Sequence, residues 1–153
     1  MLTRVLLAED EKSLRDGIKL NLELEGYEVE EAVNGSEALF KFKNQRFNLV
    51  ILDVMMPEVN GFEVCEKIRL TDNETPILFL TAKDTSKDKV KGLKLGADDF
   101  IKKSGGFSIK VLVERIRVQL RKKDVDNSIE ENKSIISHGK LKLDPSQLEC
   151  EWN

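Results

Sequence analysis

Between Thr3 and about Lys122, short aliphatic runs alternate with stretches whose apolar residues recur at helical spacing. "RVLLA" (Arg4 to Ala8) predicts a first strand. The next segment carries Leu14, Ile18 and Leu22 at i, i+4 and i+8 and stops at Gly26, the residue type that best closes a helix. "YEVEEAV" predicts a second strand, "SEALFKF" a short helix after Asn34-Gly35, and "LVILD" (Leu49 to Asp53) a strand apolar on both faces. Pro57 and Asn60-Gly61 turn the chain into a helix with Phe62, Cys65 and Ile68 on one side. "PILFLTA" (Pro76 to Ala82) predicts a fourth strand, Ser86 to Leu95 a helix ended by Gly96, "DDFIKK" a fifth strand, and Ser108 to Lys122 a last amphipathic helix. Five βα units in succession imply an α/β fold: a doubly wound parallel sheet covered on both faces.

Beyond Lys122 the pattern breaks. "KKDVDNSIEENKS" (Lys122 to Ser134) is almost all polar and reads as a solvated linker, 123–134. "KLKLDPSQLECEW" then alternates apolar and polar residues around Asp144-Pro145-Ser146, a hairpin pattern. Two strands alone are marginally stable, so 135–153 is expected to be the start of a second domain.

Composition narrows the setting. The 153 residues suffice for one core and an appendage, and 40% of them are hydrophobic. Charged residues make up 35%, with both signs present and a net charge of -3, which offers no general electrostatic case for nucleic-acid binding. Cys65 and Cys150 lie too far apart for metal-ligand spacing, and no apolar run resembles a signal peptide or a membrane span of roughly 20 residues. A reducing cytoplasm, with no membrane partner, is the expected setting.

The chemistry gathers where the strands end. Glu9-Asp10 follow the first strand, Asp53 ends the third, Thr81-Ala82 the fourth and Lys103 the fifth. Carboxyl ends of strands are where open α/β sheets bind ligands. Three crowded carboxylates repel one another, and a hard divalent cation relieves that; Mg2+ fits best because it accepts carboxylates, keeps waters and is completed by phosphate oxygens. Thr81 and Lys103 then supply donors for a transferring phosphoryl group. Taken singly these residues have ordinary readings. A strand-end aspartate is usually a turn or cap residue, and Thr81 is a residue type strands favour. Cys65 reads as core, His138 as chemically idle, and the charges of Ser86 to Lys94 as a solvated face.

Together, "LLAEDE", "ILDVMMPEVNGFEVCEKIR", "ILFLTAK" and "GLKLGADDFIKK" resemble the receiver domain of two-component response regulators over residues 1–122. The resemblance implies a flavodoxin-like (βα)5 fold with strand order 2-1-3-4-5. It also implies that Asp53 takes a phosphoryl group from a sensor histidine kinase, an ionised carboxylate needing no general base. Asp10 directly, Glu9 through water, Asp53 and the Met55 backbone carbonyl would hold Mg2+. Thr81, the Ala82 amide and Lys103 would bind phosphoryl oxygens, and Met55 and Lys83 would tune the lifetime of the product. Phe100 stands between two readings, sheet packing and a switch aromatic that moves with Thr81.

"ISHGKLKLDPSQLECEW" resembles the first strands of the winged-helix effector domain of OmpR/PhoB-type regulators, without a recognition helix. The family then implies a homodimer on phosphorylation. Its face would be built from Lys87, Lys89 and Lys91, Asp98 and Asp99, and Glu114, Arg115 and Lys122, with DNA read only through the missing effector domain. One segment departs from the family: Lys103 is followed by Ser104-Gly105-Gly106 instead of a proline. A cis bond costs about 0.5–1 kcal/mol before proline but roughly 2.5–4 before serine, so a trans bond is expected there. Lys102 competes as phosphate ligand, but neighbouring strand residues face opposite ways and the family's spacing from Phe100 selects Lys103.

Three other classes fit less well. A phosphatase of the haloacid dehalogenase type wants Asp-x-Asp after its first strand. A flavin module wants a Ser/Thr/Gly-rich phosphate loop, which "AEDEKS" is not. A degenerate receiver, binding partners without phosphorylation, draws support only from the altered segment after Lys103.

Overall fold

The computed structural model describes residues 2–82, 86–103 and 107–122. The expectations that fall on Lys83, on Ser104-Gly105-Gly106, and on the linker, His138 and the hairpin lie outside the described residues. The chain divides into two compact units, Met1–Gln119 and Leu120–Asn153, and the first of them carries the sheet.

Its elements alternate: β1 (Arg4–Ala8), α1 (Lys12–Leu24), β2 (Glu28–Ala32), α2 (Gly35–Asn44), β3 (Leu49–Asp53), α3 (Gly61–Arg69), β4 (Ile77–Thr81), α4 (Ser86–Lys94) and β5 (Asp99–Lys102). A fifth helix, α5, begins at 109 and continues to 122. All strand pairs are parallel, in the order β2-β1-β3-β4-β5. Connections from β1 run one way across the sheet and those from β3 the other. The crevice of a doubly wound sheet therefore opens between the carboxyl ends of β1 and β3.

Burial explains the aliphatic runs. Every residue of β3 and β4 is buried, because helices cover both faces of the central strands. One layer packs Leu6, Val50, Leu52, Ile77 and Phe79 against Ala38 of α2 and Val64, Cys65 and Ile68 of α3. On the other side Ile18 and Leu22 of α1 and Leu112 and Ile116 of α5 are fully buried, and Gly17 of α1 faces Ile109 of α5. The edge strand β2 is instead acidic, with Glu28, Glu30 and Glu31, which suits an edge that must not pair with another chain.

Helix ends follow their local chemistry. Asn34 caps α2 by accepting from the Glu37 amide at 2.8 Å, and Asn60 with Glu63 forms a reciprocal capping box on α3. Gly26 and Gly96 end α1 and α4 with positive φ, as their positions after each helix predict. Cys65 is core, as expected: burial pushes its thiol up to about 11, and Sγ donates to the Leu95 carbonyl. Among the described residues no helix is long and apolar enough to cross a membrane.

Candidate phosphoacceptor and metal site

At the crevice, β1 delivers Glu9 and Asp10 and β3 delivers Asp53. Oxygens from the three carboxylates lie within 4.8 Å of one another. Glu9 is fully buried and Asp53 nearly so, while Asp10 is exposed at the rim. Lys103, one residue past β5, reaches across with its ammonium 3.0 Å from Glu9 Oε1 and 3.2 Å from Asp53 Oδ2. Lys103 thus stands against both buried carboxylates.

Backbone groups set the carboxylates in place. The Met55 amide donates to Asp53 Oδ1 at 3.1 Å, and the Glu11 amide to Glu9 Oε2 at 3.0 Å. The Lys103 amide donates to the Thr81 carbonyl at 2.6 Å, tying the lysine to the end of β4. Gly61 matters here for space: a Cβ at that position would stand 2.4 Å from the Asp53 carbonyl oxygen, so α3 can start against the aspartate's backbone only with glycine.

Burial is the first reason that Asp53 titrates high, at about 7; hydrogen bonding with Asp10 and the charge of Glu9 add to it, and Lys103 opposes it. Burial also works against the charged Lys103, but its hydrogen bond to Glu9 and the charge of Asp53 prevail and hold its pKa above the ordinary lysine value. The cluster is thus short of positive charge. Three converging carboxylates are oxygen donors of the kind a small hard cation takes, and the donor set fits Mg2+.

The remaining predicted residues are distributed. Thr81 is buried at the end of β4, and Ala82 and Lys103 line one cavity with Leu14 and Phe107. Met55 is half exposed beside the cluster. Phe100 lies on the opposite face of β5, its ring 6.0 Å from that of Phe79, which in turn meets Phe62 at 5.2 Å.

Of the residues expected on a dimer face, Lys87, Lys89 and Lys91 are exposed on α4, and the Lys91 ammonium sits 4.8 Å above the Phe62 ring. Asp98 is engaged within its own chain, by Arg69 at 3.1 Å and the Ile77 amide at 2.9 Å. Asp99 pairs with Arg115 at 2.7 Å, and Glu114 with Arg117. Lys122 belongs to the second unit.

Comparison with known proteins decides the family. The family described as "Response regulator receiver domain" matches residues 5–117. The chain belongs to the response regulator receiver domain family. A probable transcriptional regulator, ycf27 of Galdieria sulphuraria, is 43% identical over 153 residues, 98% of this chain and 58% of that protein. A CheY-like response regulator receiver domain protein from Methanospirillum hungatei JF-1 superposes with a TM-score of 0.78 at 32% identity, covering 82% of this chain and 99% of that one. The response regulator TrrA of Thermotoga maritima, solved in complex with Mg2+ and BeF, gives 0.70 at 34% identity over 77% and 99%. This receiver spans about three fifths of the length of the curated relatives it matches. It is the receiver domain of a two-component response regulator, and transcriptional regulators are among its relatives.

The sequence pattern marks Gly61 as a turn residue but not as a close approach to Asp53, and it marks neither Arg15 nor Gly92. Arg15 touches the acidic turn and the two glycines serve close approaches, none of which leaves a periodic trace.

Proposed function

We propose that Asp53 is the phosphoacceptor of this receiver, that Glu9, Asp10, Asp53 and the Met55 backbone carbonyl hold Mg2+, and that a sensor histidine kinase supplies the phosphoryl group. The observation that carries the reading is the 3.2 Å approach of Lys103 to a buried Asp53 inside the acidic cluster.

In the reaction an Asp53 oxygen attacks phosphorus of the kinase's phosphohistidine. The new O–P bond forms as the P–N bond breaks, and its electron pair leaves with the imidazole, which takes a proton from water. Asp53 must be ionised to attack, and Lys103 favours that form. Mg2+ held by Glu9, Asp10, Asp53 and the Met55 carbonyl would supply positive charge against the carboxylates and the phosphoryl oxygens. Lys103, the Thr81 hydroxyl and the Ala82 amide hold those oxygens. The receiver changes only its own phosphorylation state.

Readout would follow the family: Thr81 moves toward the phosphoryl group, Phe100 packs inward, and the α4-β5-α5 face pairs with a second copy. Exposed Val90, Leu93 and Val111 on that side are consistent with an interface. Transcriptional control belongs to the full-length parent, through a winged-helix domain beginning near 135, with 123–134 as linker; the expected setting is cytoplasmic.

The test is intact mass after incubation with acetyl phosphate. Wild type is expected to gain one phosphoryl mass with Mg2+ and none with EDTA, and Asp53→Asn none in either. Equal labelling of Asp53→Asn would sink the assignment.

A further inference from the structure

The turn bearing Glu9 and Asp10 places two like charges side by side, and its backbone must be held against their repulsion. α1 begins just beyond it without a side-chain cap. What holds the turn is Arg15, a turn into α1, whose side chain is only 12% exposed. Its Nη1 donates to the Glu9 carbonyl at 2.9 Å and to the Asp10 carbonyl at 3.4 Å, and its Nε to Glu31 Oε2 at 3.1 Å. Glu31 lies on β2 and is itself fixed by Lys19 at 3.1 Å. The Glu9 amide donates to the Ala32 carbonyl of the same strand at 3.1 Å. The acidic turn is therefore tied to β2 twice, through its amide and through a guanidinium that gathers both of its carbonyls.

We propose that Arg15 is a positioning residue for the Mg2+ site: it fixes the backbone of Glu9 and Asp10 so that their carboxylates converge on Asp53. The inference rests on the reading of that cluster as the metal site. Arg15 has three donor contacts on the turn and β2, and none is to Glu9, Asp10 or Asp53 carboxylate oxygens. Its work is geometric, and the sign of its effect distinguishes this from simple charge. A nearby cation opposes Mg2+ binding, so deleting Arg15 would tighten Mg2+ if charge were all that mattered. Deleting a residue that orients ligands weakens the metal instead, typically by about 10–100-fold.

The experiment is calorimetric titration of the whole chain with MgCl2, at a temperature where circular dichroism shows each variant folded, for wild type, Arg15→Ala, Arg15→Lys and Asp10→Asn. Arg15→Ala is expected to raise the Mg2+ dissociation constant about tenfold despite losing a positive charge. Arg15→Lys, which keeps the charge but not the forked geometry, is expected to fall between it and wild type. In acetyl phosphate labelling the Mg2+ concentration for half-maximal rate rises in step, while the rate at saturating Mg2+ stays near wild type. Unchanged or tighter Mg2+ binding by Arg15→Ala overturns the inference. If that variant does not fold, wild-type affinity in Arg15→Lys overturns it equally. Wild-type Mg2+ binding that Asp10→Asn leaves intact removes the reading of the site, and the inference with it; loss of binding in Asp10→Asn alone removes only the role of Arg15.

Discussion

The Lys103 ammonium bridges two buried carboxylates, standing 3.0 Å from Glu9 and 3.2 Å from Asp53. Without a metal it is the cation that makes their burial tolerable. Removing one partner of such a group strands the others, at a cost on the order of 3 kcal/mol. Lys103→Met is therefore expected to lower the urea midpoint in EDTA at neutral pH, and Mg2+ to restore part of the loss by mass action. A Lys103→Met midpoint equal to wild type in EDTA would mean that the bridge carries no stability.

Asp53 sets a pH dependence with a definite sign. Its folded-state pKa, about 7, lies above the ordinary aspartate value of 3.8, so between those values the native state holds a proton the unfolded chain has released. Stability from this group is present at low pH and is lost as pH rises toward 7, each tenfold difference in proton affinity between the two states being worth about 1.4 kcal/mol. In EDTA, Asp53→Asn is expected to be more stable than wild type at pH 7.5, the gap closing toward pH 5. Denaturant unfolding at both values checks it, and a gap that widens on acidification contradicts the assignment.

How much of this was legible in the sequence differs by kind. β1, β3 and the buried β4 were readable because a strand covered on both faces must be an unbroken apolar run, and the helix stops at Gly26 and Gly96 because few residues tolerate positive φ there. Strand order came from resemblance alone, since local pattern does not say which strands are neighbours. Glu9, Asp10, Asp53 and Lys103 could be collected at strand ends, but the bridge from Lys103 to Glu9 spans 94 positions and is a tertiary fact. Arg15 looked like any charge on an amphipathic helix. Its partners on the acidic turn are carbonyls, which every residue has, so no side-chain pattern could mark it.

A row of rings beneath α4 is a second place to intervene. A Cβ on Gly92 would stand 3.0 Å from the Phe79 ring and 3.3 Å from that of Phe100. Alanine gains helix propensity by roughly 1 kcal/mol over glycine, but here the gain is offset by displaced rings in a packed core. Gly92→Ala is expected to lower stability despite the propensity, and Phe79→Ala by about 3–5 kcal/mol through the cavity it leaves. Chemical denaturation checks both; a stabilised Gly92→Ala would show that the rings yield freely.

Asp98, just before β5, and Asp99, its first residue, are expected to separate in their effects. Asp98 is turned to its own chain, where one oxygen serves both Arg69 and the Ile77 amide, and Arg69 also donates to the carbonyls of Gly96 and Asp72. It fastens the end of α3 to the start of β5. Asp99, its side chain 17% exposed, holds a half-exposed Arg115 whose guanidinium a second copy could share. Asp98→Ala is thus expected to lower monomer stability while leaving the beryllofluoride-induced dimer of the surviving folded protein near wild type. Asp99→Arg sets like charges against Arg115 on both sides of a two-fold contact, and is expected to raise the dimer dissociation constant about tenfold, equivalent to about 1.4 kcal/mol. Sedimentation at micromolar concentration with beryllofluoride and Mg2+, beside denaturant unfolding, resolves the pair. Dimer loss in Asp98→Ala at unchanged stability, with Asp99→Arg dimerising normally, would reverse the assignment.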